Sequence, residues 1–211
     1  MKGEAKVIEQ LNAALSSELT AIVQYMTQSE MCQNWGYKKL GERTKARAIE
    51  EMKHAEGLIE RIIFLDSIPS VEVGLKPQLG SNVQQQMEIN LKDELDAVRQ
   101  YNEAVRVCVQ LKDDGSRTLF EHMIKDEERH ADYLESQLHS IKEMGIANYL
   151  SQQMQAKTPM VVVLRDGEVV QGIIEWYDKH CIKVTRTGAP NLVIYKPAIK
   201  YMFKEGENGK K

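Results

Sequence analysis

The chain has 211 residues, 42% of them hydrophobic and 28% charged, with a net charge of −3. That length holds one medium domain or a larger and a smaller one, with enough apolar residues for a buried core, and the charge excludes a general affinity for nucleic acid. The charge is unevenly divided. From Lys157 onward ten Lys/Arg stand against six Asp/Glu, and the remainder carries 18 against 25, which points to an acidic and a basic domain with different partners.

Residues 5–34 read as a helix, with Leu11, Leu15, Ile22 and Tyr25 at helical spacing and Glu18 on the same stripe. A charge inside an apolar stripe is the informative exception. Asn34-Trp35-Gly36 breaks the pattern, and a second helix is expected over 37–65 through Ile49, Ala55, Leu58 and Ile62. A Gly- and Pro-marked stretch follows to Ser81. Such a loop is unusually long for a helical bundle. It spans roughly 50 Å when extended, against roughly 42 Å for a helix of this length, so it can run the whole length of a bundle. A third helix is expected over 82–111. Asp113-Asp114-Gly115-Ser116 turns the chain, with Ser116 the expected N-cap of a fourth helix that ends at Gly145. A short fifth helix is expected over 146–156, ended by Thr158-Pro159. The pattern then becomes β, with strands expected over 160–164, 169–177, 181–185, 192–195 and 200–203. Turns are expected at Asp166-Gly167, Asp178-Lys179 and residues 187–191, and a disordered charged tail over 205–211. The expected domains are therefore a helical bundle over 1–157 and a small β domain over 158–211.

Cys32, Cys108 and Cys181 are odd in number and form no Cys-x-x-Cys pair. They read as buried small hydrophobes in a reducing compartment. The first five residues carry no apolar signal core, and no apolar run approaches transmembrane length, so a soluble cytoplasmic protein is expected.

The chemistry lies in a repeat. Glu51-Met52-Lys53-His54 recurs in reduced form as Glu127-Glu128-Arg129-His130, a shift of 76 residues, and the same shift carries Glu18 onto Glu94. In each Glu-x-x-His pair the two side chains share one helix face, where a carboxylate and an imidazole can hold one cation. Glu18 and Glu51 lie at nearly equal distances on either side of Trp35, at one height across a helical hairpin. Four carboxylates that converge in a core repel each other, and two ferrous ions balance their charge. Two irons also supply two electrons to dioxygen together. One Glu-x-x-His in a charged helix arises easily by chance. Two copies in register with two further glutamates do not, and they match the di-iron carboxylate arrangement of helix bundles.

Met1-Lys2-Gly3, Asn34-Trp35-Gly36, Glu51-Met52-Lys53-His54-Ala55, Asp126-Glu127-Glu128 and Lys142-Glu143-Met144-Gly145 resemble the bacterioferritins over residues 1–157. The resemblance implies a mainly α fold, a ferritin-like four-helix bundle with a short fifth helix, in a hollow 24-subunit cage. It also implies iron storage and ferroxidase activity. Glu51 and Glu127 would bridge two irons, with Glu18 and His54, and Glu94 and His130, as terminal ligands. Met52, turned about 100° from Glu51 on the helix, would face a subunit interface and hold a haem b between two subunits. Some positions depart from the family. Ala46 stands where a histidine is common beside Glu50, and Leu58 where a tyrosine is common, while Tyr25 remains. Asn34, Asp66, Asp132 and Ser136 are similar to residues lining an entry pore, and read equally as solvated helix ends.

Leu164-Arg165-Asp166-Gly167, Val170-Gln171-Gly172-Ile173, Trp176-Tyr177-Asp178 and Tyr195-Lys196-Pro197-Ala198-Ile199 resemble the two motifs of Sm-like proteins, specifically the bacterial Sm-like RNA chaperone, over 146–203. That resemblance implies a small Sm-like (SH3-like) barrel, with Lys179, His180, Tyr195 and Lys196 at an RNA-binding pocket. Gln153, Met154 and Gln155 stand where a basic rim is expected, which weakens phosphate attraction, so a purely structural appendage is the alternative. For the whole chain, the alternatives to an iron-storing ferroxidase are an RNA-binding module on a cage scaffold and a di-iron peroxidase. The missing Cys-x-x-Cys part of the rubrerythrins argues against the peroxidase.

Overall fold

The computed structural model describes all residues except 1, 75, 155–158, 178 and 207–211. The expected boundary at 157/158, Asp178 of one expected turn, and the expected tail beyond Gly206 lie outside the described residues. Two compact units emerge, Met1–Met154 and Gln155–Lys211.

The first unit comprises α1 (Ala5–Asn34), α2 (Lys38–Phe64), α3 (Val83–Leu111), α4 (Asp114–Met144) and α5 (Ile146–Met154). Helix α1 packs mainly on α2 and α3 mainly on α4, two hairpins laid together. The chain between α2 and α3 runs lengthwise beside α1. The Ser70 N–H donates to Asn12 Oδ1 (2.7 Å), Ser16 Oγ to the Glu72 carbonyl (3.0 Å), and the Gln78 N–H to Gln24 Oε1 (2.8 Å). These partners climb α1 in order, so the crossover spans the bundle as its length allows.

Two apolar clusters fill the bundle. One contains Leu11, Leu15, Leu58, Ile62, Tyr101 and Phe120. The other contains Cys32, Leu40, Val83, Met87, Leu134 and Tyr149, the last contributed by α5. On each of the four long helices the repeated Glu and His positions fall between residues of the first cluster and residues of the second. Ile49, expected on the core stripe of α2, is exposed, and Ala48 is buried in its place. Cys32 and Cys108 are buried, whereas Cys181 is only partly so.

The N-cap of α4 is Asp113, not Ser116. The Asp113 carboxylate accepts from the Ser116 N–H (2.9 Å) and hydroxyl (3.0 Å), and Ser116 lies inside the first turn, fully buried. Asp113 prevails because it also pairs with Arg61 across the bundle, at 2.5 Å. A carboxylate caps a helix as well as a hydroxyl does, and only the carboxylate can make the ion pair.

The second unit is a five-stranded antiparallel sheet of β1 (Pro159–Leu164), β2 (Val169–Tyr177), β3 (Cys181–Thr185), β4 (Leu192–Tyr195) and β5 (Ile199–Lys204), in the order β4-β3-β2-β1-β5. A single 3₁₀ turn, Lys196–Ala198, links the last two strands. Val162, Val170, Ile182, Val184 and Ile194 form its core. At Gly172 β2 crosses β3 so closely that a Cβ would lie 2.4 Å from the Thr185 carbonyl oxygen. Only glycine admits that approach.

Asp113→Ala is expected to cost about 2–4 kcal/mol, because it removes a cap and strands Arg61. Burial pushes the Asp113 carboxyl up, but the Ser116 hydrogen bonds and Arg61 more than reverse this, so its folded pKa lies below the usual carboxylate range. A depressed folded pKa contributes stability above the unfolded value, and that contribution is lost as pH falls through the folded one. Urea denaturation should therefore show a constant gap between wild type and variant from pH 7 to about 5, shrinking below roughly pH 4.

Candidate metal centre

Glu18 on α1, Glu51 and His54 on α2, Glu94 on α3, and Glu127 and His130 on α4 are all buried. Helical spacing turns each inward, and the two apolar clusters close the space above and below. Ligand atoms of Glu18, Glu51, His54 and Glu127 lie within 4.8 Å of one another, and so do those of Glu94, Glu127 and His130. The structure thus brings all six repeated residues together in two groups that share Glu127. Glu51 belongs to one group only.

Both imidazoles present Nδ1 to the interior. His54 Nδ1 is 3.1 Å from Glu51 Oε2, 3.2 Å from Glu127 Oε1 and 3.7 Å from Glu18 Oε2. His130 Nδ1 is 3.1 Å from Glu127 Oε2 and 3.9 Å from Glu94 Oε2. Their outer nitrogens meet carboxylates, His54 Nε2 facing Asp126 (3.3 Å) and His130 Nε2 facing Glu50 (2.8 Å). Such outer partners orient a histidine whose inner nitrogen binds metal. Two tyrosines hold the flanking carboxylates. The Tyr25 hydroxyl donates to Glu94 Oε1, and the Tyr101 hydroxyl donates to Glu18 Oε1.

The electrostatics are those of crowded charge. Burial and the neighbouring Glu18 hold the Glu51 carboxyl well above its ordinary range. Burial likewise pushes Glu94 up to about 8, although Arg47 opposes the shift. Glu127 goes the other way. Burial would raise it, but hydrogen bonds from His130 and His54 hold it below the ordinary range. Burial pulls the His54 ring toward neutrality, but Glu127, Glu18 and Glu51 more than reverse that and raise it above the ordinary imidazole range. Glu127 Oε1 is buried 3.2 Å from His54 Nδ1. Four carboxylates and two imidazoles gathered in one buried space are a donor set that fits divalent cations.

The structure also supplies residues to which the sequence alone assigned no role at this centre. Arg47 enters the centre from α2 and contacts Glu51, Glu94 and Glu127. It stands four residues before Glu51, one turn back on the same face, so the i, i+4 neighbour rule could have flagged it. Tyr101 stands seven residues after Glu94, two turns along α3. Asp126 and Glu50 adjoin ligand positions and could have been read as their outer partners.

The remaining candidate residues lie elsewhere. Met52 is 54% exposed on the outer side of α2, and Ile49, one turn before it, is also exposed, as are Val23 and Met26 on α1. In the sheet unit, the Lys196 N–H donates to the His180 carbonyl (2.7 Å), and the Lys196 ammonium lies 5.4 Å from the centre of the Tyr177 ring. Tyr195 is 68% exposed, and Lys179 is exposed on the turn before β3.

A model of the ferritin-like domain matches residues 8–144, so the bundle and its buried carboxylates and histidines define a ferritin-like protein. Within that class the relatives are specific. The chain is 42% identical to a bacterioferritin of Brucella melitensis over 149 residues, 71% of this chain and 92% of the relative. It is 38% identical to one of Mycolicibacterium paratuberculosis over 152 residues, 72% and 96% respectively. It is 41% identical to one of Rhodobacter capsulatus over 145 residues, 69% and 90%. The chain belongs to the bacterioferritin family. Residues 149–203 match a second model, described as Hfq related, so an Sm-like domain follows the ferritin-like one. No helix among the described residues is long and apolar enough to cross a membrane.

Tyr101→Phe keeps the ring packed against Phe120, at 5.8 Å between centroids, but leaves the buried Glu18 carboxylate without its donor. The chelator-treated variant should lose about 1–3 kcal/mol. Adding Zn²⁺ should recover most of that in a thermal melt, because a cation replaces the lost donor.

Proposed function

We propose that the bundle is a ferroxidase that oxidises Fe²⁺ with dioxygen and stores the ferric product inside a cytoplasmic, 24-subunit cage. The observation that carries this reading is the pair of buried carboxylate–imidazole groups joined at Glu127. Iron is the substrate. Glu18, Glu51 and His54 take one ion, Glu94 and His130 the other, and Glu127 both, with Glu51 free to bridge once both are in place. Two ferrous ions provide two electrons for one dioxygen, so neither has to release a one-electron product.

The other residues prepare the site. Glu127 remains ionised and ready to receive a cation. Asp126 and Glu50 fix the ring orientations so that Nδ1 faces inward, while Tyr25 and Tyr101 hold Glu94 and Glu18 in place. The apolar clusters on both sides bury the carboxylates and imidazoles, which strengthens each charge interaction. Glu18→Ala and Glu127→Ala should each slow aerobic Fe²⁺ oxidation by at least about tenfold, the loss that even an outer partner of a metal ligand produces, with particle size unchanged. Zn²⁺ should inhibit the wild type, since it binds such ligands more tightly than Fe²⁺. Wild-type rates in both variants would rule out the centre.

The family also implies a haem, and the outer face of the α1–α2 hairpin fits one. The Met52 thioether is exposed with Ile49 exposed one turn before it, and two such faces from neighbouring subunits would enclose an apolar macrocycle. Haem would supply a one-electron redox centre there. Met52→Leu should remove the low-spin Soret and α bands while the particle keeps its size. A retained spectrum would assign the axial ligand elsewhere.

A second reading concerns the Sm-like unit, where His180, Tyr195 and Lys196 meet at the ends of β3 and β4. Tyr195 offers an exposed ring for base stacking, worth roughly 1–3 kcal/mol, and Lys179 and Lys196 add a salt-dependent attraction. The intact protein should retard U-rich RNA at low salt, and Tyr195→Ala with Lys196→Ala should abolish this without altering iron oxidation. Failure of the wild type to bind would make the unit structural.

A further inference from the structure

The cation already inside the centre is the side chain of Arg47. The side chain is 11% exposed. Its Nη2 alone reaches oxygens from three helices: Glu51 Oε1 on α2, Glu94 Oε2 on α3 at 3.2 Å, and Glu127 Oε2 on α4 at 2.6 Å. That convergence is what the second metal ion would itself require. Nε donates to Glu94 Oε1 (3.2 Å), and Nη1 donates to Glu50 Oε2 (3.1 Å). Nη1 also lies 2.6 Å from His130 Nε2. Arg47 shares Glu51 and Glu127 with the other half of the centre, but among the described residues its ion pairs do not extend to Glu18 or His54.

We infer that Arg47 is a tethered counter-cation that occupies the second metal position and makes loading ordered and unequal. This rests on the two-metal reading above and adds to it the order of filling. Four carboxylates balance two divalent ions. A guanidinium left among them adds an uncompensated positive charge beside an incoming one, in surroundings where burial magnifies repulsion. The first ion enters at Glu18, Glu51, His54 and Glu127 with Arg47 in place. The second enters only as Arg47 withdraws. Space for the withdrawal lies alongside, in a cavity of about 310 Å³ whose lining includes Thr44, Ala46, Glu50 and Tyr133 as well as Arg47 itself. Ala46 is small, and Glu50 already pairs with the guanidinium, so it can guide it outward. In the metal-free protein the same contact offsets the repulsion among Glu51, Glu94 and Glu127.

Anaerobic calorimetric titration of the chelator-treated full-length protein with Zn²⁺, which has no redox chemistry, tests this. The wild type should bind two ions per subunit in two steps, the second at least tenfold weaker. Arg47→Gln should tighten the second step by at least tenfold, so that the two steps merge. Arg47→Lys, a cation without the fork, should fall between them. Two equal steps in the wild type, or an unaltered second step in Arg47→Gln, would overturn the inference. If Arg47→Gln does not fold without metal, the wild-type titration still decides. Glu18→Ala separates the two levels of the account. If it titrates as the wild type does, the metal centre itself is wrong, whereas a lost first step beside two equal wild-type steps condemns only the role of Arg47.

Discussion

The fold is arranged around the cost of holding four carboxylates in the buried middle of a bundle. Each would be expensive to bury alone, and together they repel. Every feature of the bundle core answers that cost. Two imidazoles face the carboxylates, two tyrosine hydroxyls donate to the flanking pair, Glu51 and Glu94 are pushed toward protonation, and one arginine enters from the side. The apolar clusters above and below carry the stability that this middle layer lacks. In the proposed centre a bound cation would relieve that repulsion, which is the source of the affinity for metal that the proposal requires.

Much of this was legible in the sequence. The 76-residue repeat locates six residues that the fold then brings together, because helical periodicity alone turns Glu18, Glu51, His54, Glu94, Glu127 and His130 to one side of their helices. The long crossover followed from comparing loop and helix lengths, and the strand boundaries from alternation and Gly turns. Asp113 was harder. Ser116 has the chemistry of an N-cap, and choosing between them needs Arg61, which lies far away in sequence and near only once the hairpins pack. Ile49 and Ala48 exchanged places. The buried stripe on α2 runs through Ala48, Glu51, Ala55, Leu58 and Ile62 at helical spacing, and Ile49 falls beside it.

Arg47 marks the limit of reading charge by motif. Counting carboxylates against divalent ions gives an exact balance and no reason to look for a further cation. The guanidinium becomes visible only when three helices deliver oxygens to one of its nitrogens. The Sm-like unit poses the opposite problem. Its motifs and sheet are clear, yet the residues at its candidate pocket are engaged with their own neighbours, Lys196 with Tyr177 and with the His180 carbonyl, so the motif establishes the fold more firmly than any ligand.

The proposed two-metal centre is tested most directly by anomalous diffraction from crystals of the whole protein soaked in Zn²⁺ without oxygen. The account predicts two peaks within the cluster, about 3.5–4 Å apart as in other two-metal sites, one against Glu18 and His54 and one against Glu94 and His130, with the Arg47 guanidinium moved out toward Glu50. Crystals that show zinc elsewhere on the protein and none among these six residues would contradict it.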